Sequence, residues 1–372
     1  MKTKTILTLL LVLILSSVCF GAAATMYVTV VGATTKTGAS WATAMGLAEW
    51  QTDITNNAEA GDIYYVAGGT YTLTGAWSTA KAGTAVAPIS IIGVKTGTTA
   101  APPTASDYAY NADRPLIAAA ANTFDFTGDY WVIRNLQVTT TAQYGFKVNS
   151  YNIVQNCYSF NSSATAAYHA FYSTGGTKYI SCEGVSTKGR AILLYGFASA
   201  INCYCHDSAT GIQIFSNGNS IIGNRINTCT IGMDFALYHS SSVINNTISG
   251  CTTGITGTTA YNNVFINNII SGCTTGANWT TANQKINWWD YNCWNNTTDV
   301  VNVTTGDHVL LATDPQFINV AGGDFRLKPS SPCLNTGMPT LDSGKVTMGA
   351  WRPYAIKETS SRQRYSGEDI YK

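Results

Sequence analysis

Val243-Ile244-Asn245-Asn246-Thr247-Ile248-Ser249-Gly250-Cys251-Thr252-Thr253-Gly254-Ile255 returns almost unchanged 22 residues later. The second copy reads Phe265-Ile266-Asn267-Asn268-Ile269-Ile270-Ser271-Gly272-Cys273-Thr274-Thr275-Gly276-Ala277. One period upstream stands Ile221-Ile222-Gly223-Asn224-Arg225-Ile226-Asn227-Thr228-Cys229-Thr230-Ile231-Gly232-Met233. Fainter copies continue toward the N-terminus. Together they give one column of Asn135, Cys157, Cys182, Cys203, Asn224, Asn246, Asn268 and Asn292, which is seven steps over 157 residues (292 − 135). Within each copy apolar and polar residues alternate, a period of two that means strands and not helices. Gly and Asn recur at fixed offsets, where their tolerance of positive φ makes turns. A unit of about 22 residues with two or three short strands predicts one coil of a parallel β-solenoid, each coil burying its inward side chains against its neighbours.

Stacked coils explain the choice of residue in the column. An Asn there can hydrogen-bond the Asn above and below, and a Cys packs as a small hydrophobe. A second column, Cys229, Cys251 and Cys273, reads the same way. Stacked Cys residues have parallel Cβ vectors about 4.8 Å apart, beyond the ~3.8 Å a disulfide prefers, so buried thiols are expected here. Cys203-Tyr204-Cys205 sets alternate residues on one strand face, and the chain has no Cys-x-x-Cys motif.

Composition fits this picture and removes several classes. Lys plus Arg number 21 and Asp plus Glu 20 among 372 residues, so only 11% are charged while 45% are hydrophobic. A formal net charge of +1 argues against a basic nucleic-acid binder. The high apolar fraction argues against disorder. At the N-terminus Lys2 and Lys4 precede an apolar run from Ile6 to Phe20, followed by Gly21-Ala22-Ala23-Ala24. This predicts a signal peptide over 1–24 and a secreted or cell-surface protein, with no membrane span in the mature chain. The last residues, 351–372, are rich in charge and are expected to be a solvated tail.

Both ends of the repeat carry further pattern. Met26-Tyr27-Val28-Thr29-Val30-Val31 reads as a strand, and Leu47, Trp50 and Ile54 lie at helical spacing between Ala42 and Ala58. Gly38-Ala39-Ser40-Trp41 stands before that helix, and Ala60-Gly61-Asp62-Ile63-Tyr64-Tyr65-Val66-Ala67-Gly68-Gly69-Thr70-Tyr71 after it. Downstream come Asp314-Pro315-Gln316-Phe317, Gly322-Gly323-Asp324-Phe325-Arg326-Leu327 and Ser331-Pro332-Cys333-Leu334-Asn335-Thr336-Gly337. From about Tyr27 to Ala350 the chain resembles the secreted right-handed parallel β-helix proteins of the pectate-lyase-like superfamily. The resemblance implies an all-β right-handed parallel β-helix, with an N-terminal cap and first coil over 25–75, coils over 76–300 and a closing segment over 301–350. It is specific as to fold and not as to activity, because this fold hosts lyases, hydrolases, tailspikes and adhesins.

The resemblance also implies what an enzyme of the superfamily would carry. Pectate lyases are implied to hold calcium in an acidic cluster beside an Arg or Lys base, and polygalacturonases to use neighbouring aspartates. This sequence has no Asp-x-Asp and no Gly-His-Gly, and its one adjacent acidic pair is Glu368-Asp369 in the tail. Registering the coils predicts an outward column of Gln213, Asp234, Thr256 and Asn278, with Lys188 and Arg190 close by. Asp234, Arg190 and Lys188 are therefore the candidate catalytic residues, and Gln213 with Asp234 a candidate sugar-binding pair. If Asn292 faces inward, Trp289 and Tyr291 alternate outward, where flat rings could stack on sugars; as an alternative these rings close the solenoid end. Neighbours on a strand point to opposite faces, so the adjacency of His206 and Asp207 argues little for a dyad.

The reading that follows is a non-catalytic, secreted or surface β-helix that contacts polysaccharide or cell-surface glycan. A polysaccharide lyase or glycoside hydrolase is the alternative, and a phage-type receptor-binding component a second. No metal or other cofactor is expected, except calcium if the protein is a lyase. A monomer is expected, or a trimer if it is tailspike-like.

Overall fold

The computed structural model describes residues 23–75, 77–119, 124–141, 143–280, 287–320, 322–339 and 346–350. The predicted signal peptide, apart from Ala23 and Ala24, and the predicted tail lie outside these residues. The chain divides into two units, one ending at Ser159 and one starting at Phe160. Both are parallel β-solenoids in which the coils give strands to three parallel sheets, A, B and C; the step is about 22 residues in the second unit, whereas the early coils of the first are longer, Ile63 pairing with Ser90 and Ser90 with Val132. Among the described residues no helix is long and apolar enough to cross a membrane.

In the first unit, sheet A runs from Thr25–Val28 to Ile153–Gln155, sheet B from Thr70–Leu73 to Gln137–Thr140 and sheet C from Trp77–Thr79 to Phe146–Val148. The helix spans Leu47–Asn56, shorter than the expected Ala42–Ala58, because Trp41–Thr43 forms a separate 3-10 turn and Gly46 is the N-cap. Its buried Trp50 meets Trp77 at 4.6 Å and Tyr71 at 5.8 Å between ring centroids. The helix thus presses an aromatic plug onto the first coil, where strand ends would otherwise lie open.

The second unit carries the regular repeat. A single coil shows its plan: Ser220–Ile222 in sheet A, Arg225–Asn227 in sheet B and Ile231–Asp234 in sheet C. The next coil pairs with it 22 residues on, Ile221 with Val243 and Ile226 with Ile248. The inward residues of sheet A are Tyr179, Ala200, Ile221, Val243, Phe265 and Trp289; those of sheet B include Cys205, Ile226, Ile248, Ile270 and Trp294.

The Asn column is a hydrogen-bond ladder. Asn224 Nδ2 donates to Asn246 Oδ1 at 2.9 Å, Asn246 to Asn268 at 3.0 Å and Asn268 to Asn292 at 3.0 Å. The same oxygens accept the backbone N–H of the preceding coil, so each buried amide is satisfied by its neighbours. At the other end of the column the sequence register is off by one. Asn135 has φ 59° and belongs with Asn156 (φ 53°) in the turn; Leu136, not Asn135, shares the buried slot with Cys157. Asn tolerates the left-handed turn, so it serves in either place and conceals the shift.

The nine cysteines from Cys157 to Cys333 are all buried. Cys229, Cys251 and Cys273 each donate to the carbonyl two residues earlier.

Residues beyond the last strand of sheet C (Thr298–Val301) do two things. Gly306, Leu310 and Thr313 lay a final half-coil against Trp289, Asn292 and Trp294. The chain then turns back over the outer face of sheet B. There an antiparallel pair, Phe317–Asn319 and Asp324–Leu327, packs Phe317, Phe325, Leu327, Cys333 and Met348 onto Ile269 and Cys293. Met338 N–H donates to Asn267 Oδ1 at 2.6 Å and Ala350 N–H to Thr247 Oγ1 at 2.9 Å. The segment expected to close the end of the rod therefore also covers one of its sides.

Candidate functional site

With sheet B covered, the outer face of sheet C in the second unit carries the most chemistry. Cα register places Tyr172, Leu193, Gln213, Asp234, Thr256, Asn278 and Val301 in one outward column. Gln213 and Asp234 therefore sit together as the coil spacing predicts. Gln213 Nε2 donates to Asp234 Oδ2 at 2.8 Å, and Asp234 Oδ1 accepts the N–H of Ala236 at 3.0 Å. Gln213 is only 5% exposed, and its Oε1 has no hydrogen-bond partner in the protein.

The candidate cations do not join them. Arg190 opens its strand three positions before Leu193 and pairs with Thr210, and its Nη1 donates to the carbonyl of Ala166 at 2.7 Å. Two coils and three strand positions put it about 10 Å from Asp234 in each direction. Lys188 is exposed in the preceding turn. Arg190, Lys188 and Asp234 thus do not form one catalytic group. Nor do they fit the calcium that a pectate lyase would imply: Asp234 is the one carboxylate among these three, and both its oxygens are already engaged. Among the described residues no cluster of three or more His, Cys, Asp or Glu could hold a metal ion.

Of the two readings of the C-terminal rings, Trp289 follows the one in which they close the solenoid end and not the outward, sugar-stacking one. It is 1% exposed and stacks flat on Phe265 at 3.6 Å, with Trp279 edge-on at 5.3 Å and Trp294 at 5.9 Å. These rings plug the C-terminal end of the solenoid from within. Tyr291 is the reason the alternation fails. Its φ of 52° puts a left-handed turn between Trp289 and Asn292, so both of those point inward. Tyr291 itself stacks on His308 at 4.4 Å.

A partly exposed run of aromatics lies elsewhere. Tyr172, Tyr195, Phe215 and Tyr238 form a ladder up the outer face of sheet C and its following turn, with ring centroids 5.9, 5.1 and 5.4 Å apart. Phe215 is 38% exposed, and Phe197, Leu237 and Tyr261 stand open nearby. The turn that carries them is held by a second amide ladder. Oδ1 of Asn219, Asn263 and Asn287 accept the N–H of Ala198, Ser241 and Asn263 at 2.9–3.0 Å, and Ser241 Oγ accepts that of Asn219 at 3.3 Å. The aromatic steps of 23, 20 and 23 residues (172, 195, 215, 238) were the available signal. Uneven turn length hides them from a fixed 22-residue register.

On sheet B a polar cluster lies outside the apolar patch covered by the returning chain. His206 Nδ1 is 2.7 Å from Asp207 Oδ2, and its Nε2 is 3.3 Å from Glu183 Oε1. Thr228 donates to the other Asp207 oxygen at 2.7 Å, and the His206 ring stacks on Tyr204 at 4.3 Å. The neighbours do meet, against the argument from strand alternation. The strand ends at His206 and Asp207 turns back with φ 48°. Burial by itself would lower the His206 pKa, but its bonds to Glu183 and Asp207 outweigh that and hold it above the ordinary value.

No protein-family model matches this chain, and no curated protein sequence matches it. Among solved structures it is similar to pectate lyase Pel9A, at 13% identity over 90% of this chain and 98% of that one, with a TM-score of 0.57. It is also similar to a rhamnogalacturonan lyase, at 13% identity over 88% of this chain and 100% of the other, with a TM-score of 0.51. At such identity the likeness is one of fold. The chain has a parallel β-helix fold like that of these two structures.

Proposed function

We propose that this protein is exported and binds polysaccharide along the outer face of sheet C in its second unit. The observation that carries the reading is the ladder of Tyr172, Tyr195, Phe215 and Tyr238 beside the Gln213–Asp234 pair. Flat rings stack on the C–H faces of sugars, and a fixed amide and carboxylate orient the hydroxyls. The rings repeat up the rod at 5.1–5.9 Å, a spacing comparable to the rise of one sugar residue in an extended chain. Two similar solved structures are a pectate lyase and a rhamnogalacturonan lyase by name, which supports a polysaccharide as the partner. Binding without turnover is favoured at this face, because Arg190 and Lys188 stand away from Asp234 and, among the described residues, no other candidate base is seen beside it. The protein acts as a monomer in this reading, and a trimer in solution would favour a tail-type component.

A second reading has its own observation. Two carboxylates, Glu183 and Asp207, flank His206, and their side chains are 41% and 63% exposed. That is equipment for general acid–base hydrolysis or elimination. One experiment separates the two: purified protein is titrated with uronate-containing and neutral polysaccharides while reducing ends and unsaturated products are followed. Binding that Phe215→Ala weakens, with no product formed, supports the first reading. Product formation abolished by His206→Ala and kept by Phe215→Ala would replace it with the second. Calcium would enter only with lyase turnover that a chelator stops.

A further inference from the structure

The covered face of sheet B holds a pair of groups that polysaccharide binding does not use. Cys293 opens its strand, points outward and stands in register with Ile269. Cys333 comes from the returning segment that packs onto this face. Both side chains are 0% exposed in one apolar cluster with Ile269, Phe325 and Met348. The two residues thus face each other from the strand and from the segment that covers it, and Cys293 Sγ donates to the carbonyl of Thr313 at 3.3 Å.

This pair differs from the stacked thiols of the coils. Cys229, Cys251 and Cys273 repeat at equivalent positions, so their Cβ atoms point the same way and are set by the strand spacing. Cys293 and Cys333 belong to two layers that face each other. Facing side chains can bring Cβ atoms to the ~3.8 Å of a disulfide where stacked ones do not.

We propose that Cys293 and Cys333 form a disulfide that staples the 317–350 segment onto sheet B as the chain folds in the presence of a disulfide oxidant, such as glutathione disulfide or a thiol–disulfide oxidoreductase. One cysteine thiolate attacks the oxidant's disulfide and releases one thiol; the second cysteine thiolate then displaces the other thiol. The protein loses two protons and two electrons, a sulfur–sulfur bond forms, and the oxidant is reduced to two thiols. Exchange precedes docking of the segment, because afterwards neither sulfur is reachable. The neighbouring Cys333 and burial then push the Cys293 thiol up, which leaves little thiolate to react. The bond closes a loop of 40 residues (293 to 333) and ties the segment to the last regular coil.

The test uses the full chain, unfolded and refolded once in a glutathione redox buffer and once in excess dithiothreitol. Thiols are alkylated under denaturing conditions before a non-reducing digest. The expected result in the oxidised sample is one linked peptide pair containing Cys293 and Cys333, about 2 Da lighter than the sum of its reduced parts. Cys229, Cys251 and Cys273 should be alkylated in both samples. Limited proteolysis should release the C-terminal segment about tenfold more slowly from the oxidised protein than from the reduced. Cys333→Ser should abolish both effects, and Cys251→Ser should keep both. Alkylation of Cys293 and Cys333 in the oxidised sample, linkage of either to another cysteine, or equal release from both samples would overturn the proposal.

Discussion

Sheets B and C of the second unit belong to the same coils, yet their outer faces have opposite fates. Sheet B presents Ile269 and Cys293, and the returning chain buries both under Phe325, Leu327 and Met348. Sheet C presents Tyr172, Asp234, Thr256 and Asn278, all half-buried, with Gln213 tucked in between Leu193 and Asp234. A solenoid repeats whatever stands in a column, so an outward aliphatic column becomes a stripe that needs cover. A column of aromatics and amides can face water and still offer area to a ligand. The difference teaches where this molecule spends its surface: one face on holding the chain together, another on meeting something else.

Four experiments would break or sharpen that contrast. The largest effect is expected inside both faces, at the end plug. Trp289→Ala should lower stability by about 3–5 kcal/mol, read as a shift of the urea midpoint, because its stack on Phe265 leaves a cavity that Trp279 and Trp294 cannot fill. A change below about 1 kcal/mol would mean the ring is not packed as described.

Next comes the cover of sheet B. Phe325→Ala should cost about 2–4 kcal/mol and release the 317–350 segment to protease well before the coils unfold. If coils and segment are cleaved together, the cover and the rod are one cooperative body and the contrast weakens.

The third test addresses sheet C. Tyr195→Ala and Phe215→Ala should each weaken polysaccharide binding by about 1 kcal/mol, or roughly fivefold, while moving the urea midpoint little. Loss of stability with binding unchanged would make the ladder a structural cover like that on sheet B.

The smallest effect concerns pH. The folded pKa of His206 is raised above its unfolded value, so its partners stabilise the fold where the imidazole is protonated. That contribution is fully present below the unfolded value of about 6.5 and fades as pH rises through the folded pKa. Wild type should therefore lose stability between pH 6 and pH 8 relative to His206→Gln, measured as the difference in urea midpoints. Parallel pH profiles for the two proteins would show that the bonds to Glu183 and Asp207 contribute nothing.

Much of the rod was legible because a solenoid is nearly one-dimensional. The 22-residue step gives the strands, the Asn ladder from Asn224 to Asn292 and the pairing of Gln213 with Asp234, since each depends only on the coil next door. What sequence could not supply were the places where one residue leaves the strand. Left-handed φ at Asn135, Asp207 and Tyr291 shifts the buried slot to Leu136, swings Asp207 onto His206 and turns Trp289 inward. A period counts residues and does not record which of them adopts positive φ. The aromatic ladder was lost for a related reason: turns of unequal length carry its rings out of a fixed register.

The repeat alone gives the coil and the near absence of stacked charge, for like charges about 4.8 Å apart repel and Asn, Ser, Thr and Cys do not; that each coil has three strands came from the structure. The tertiary structure alone decided which outward face is covered. Residues 317–350 carry no repeat, and the contact of Phe325 and Cys333 with Ile269 and Cys293 joins positions tens of residues apart. Such a contact is set by packing between layers, which no local period encodes.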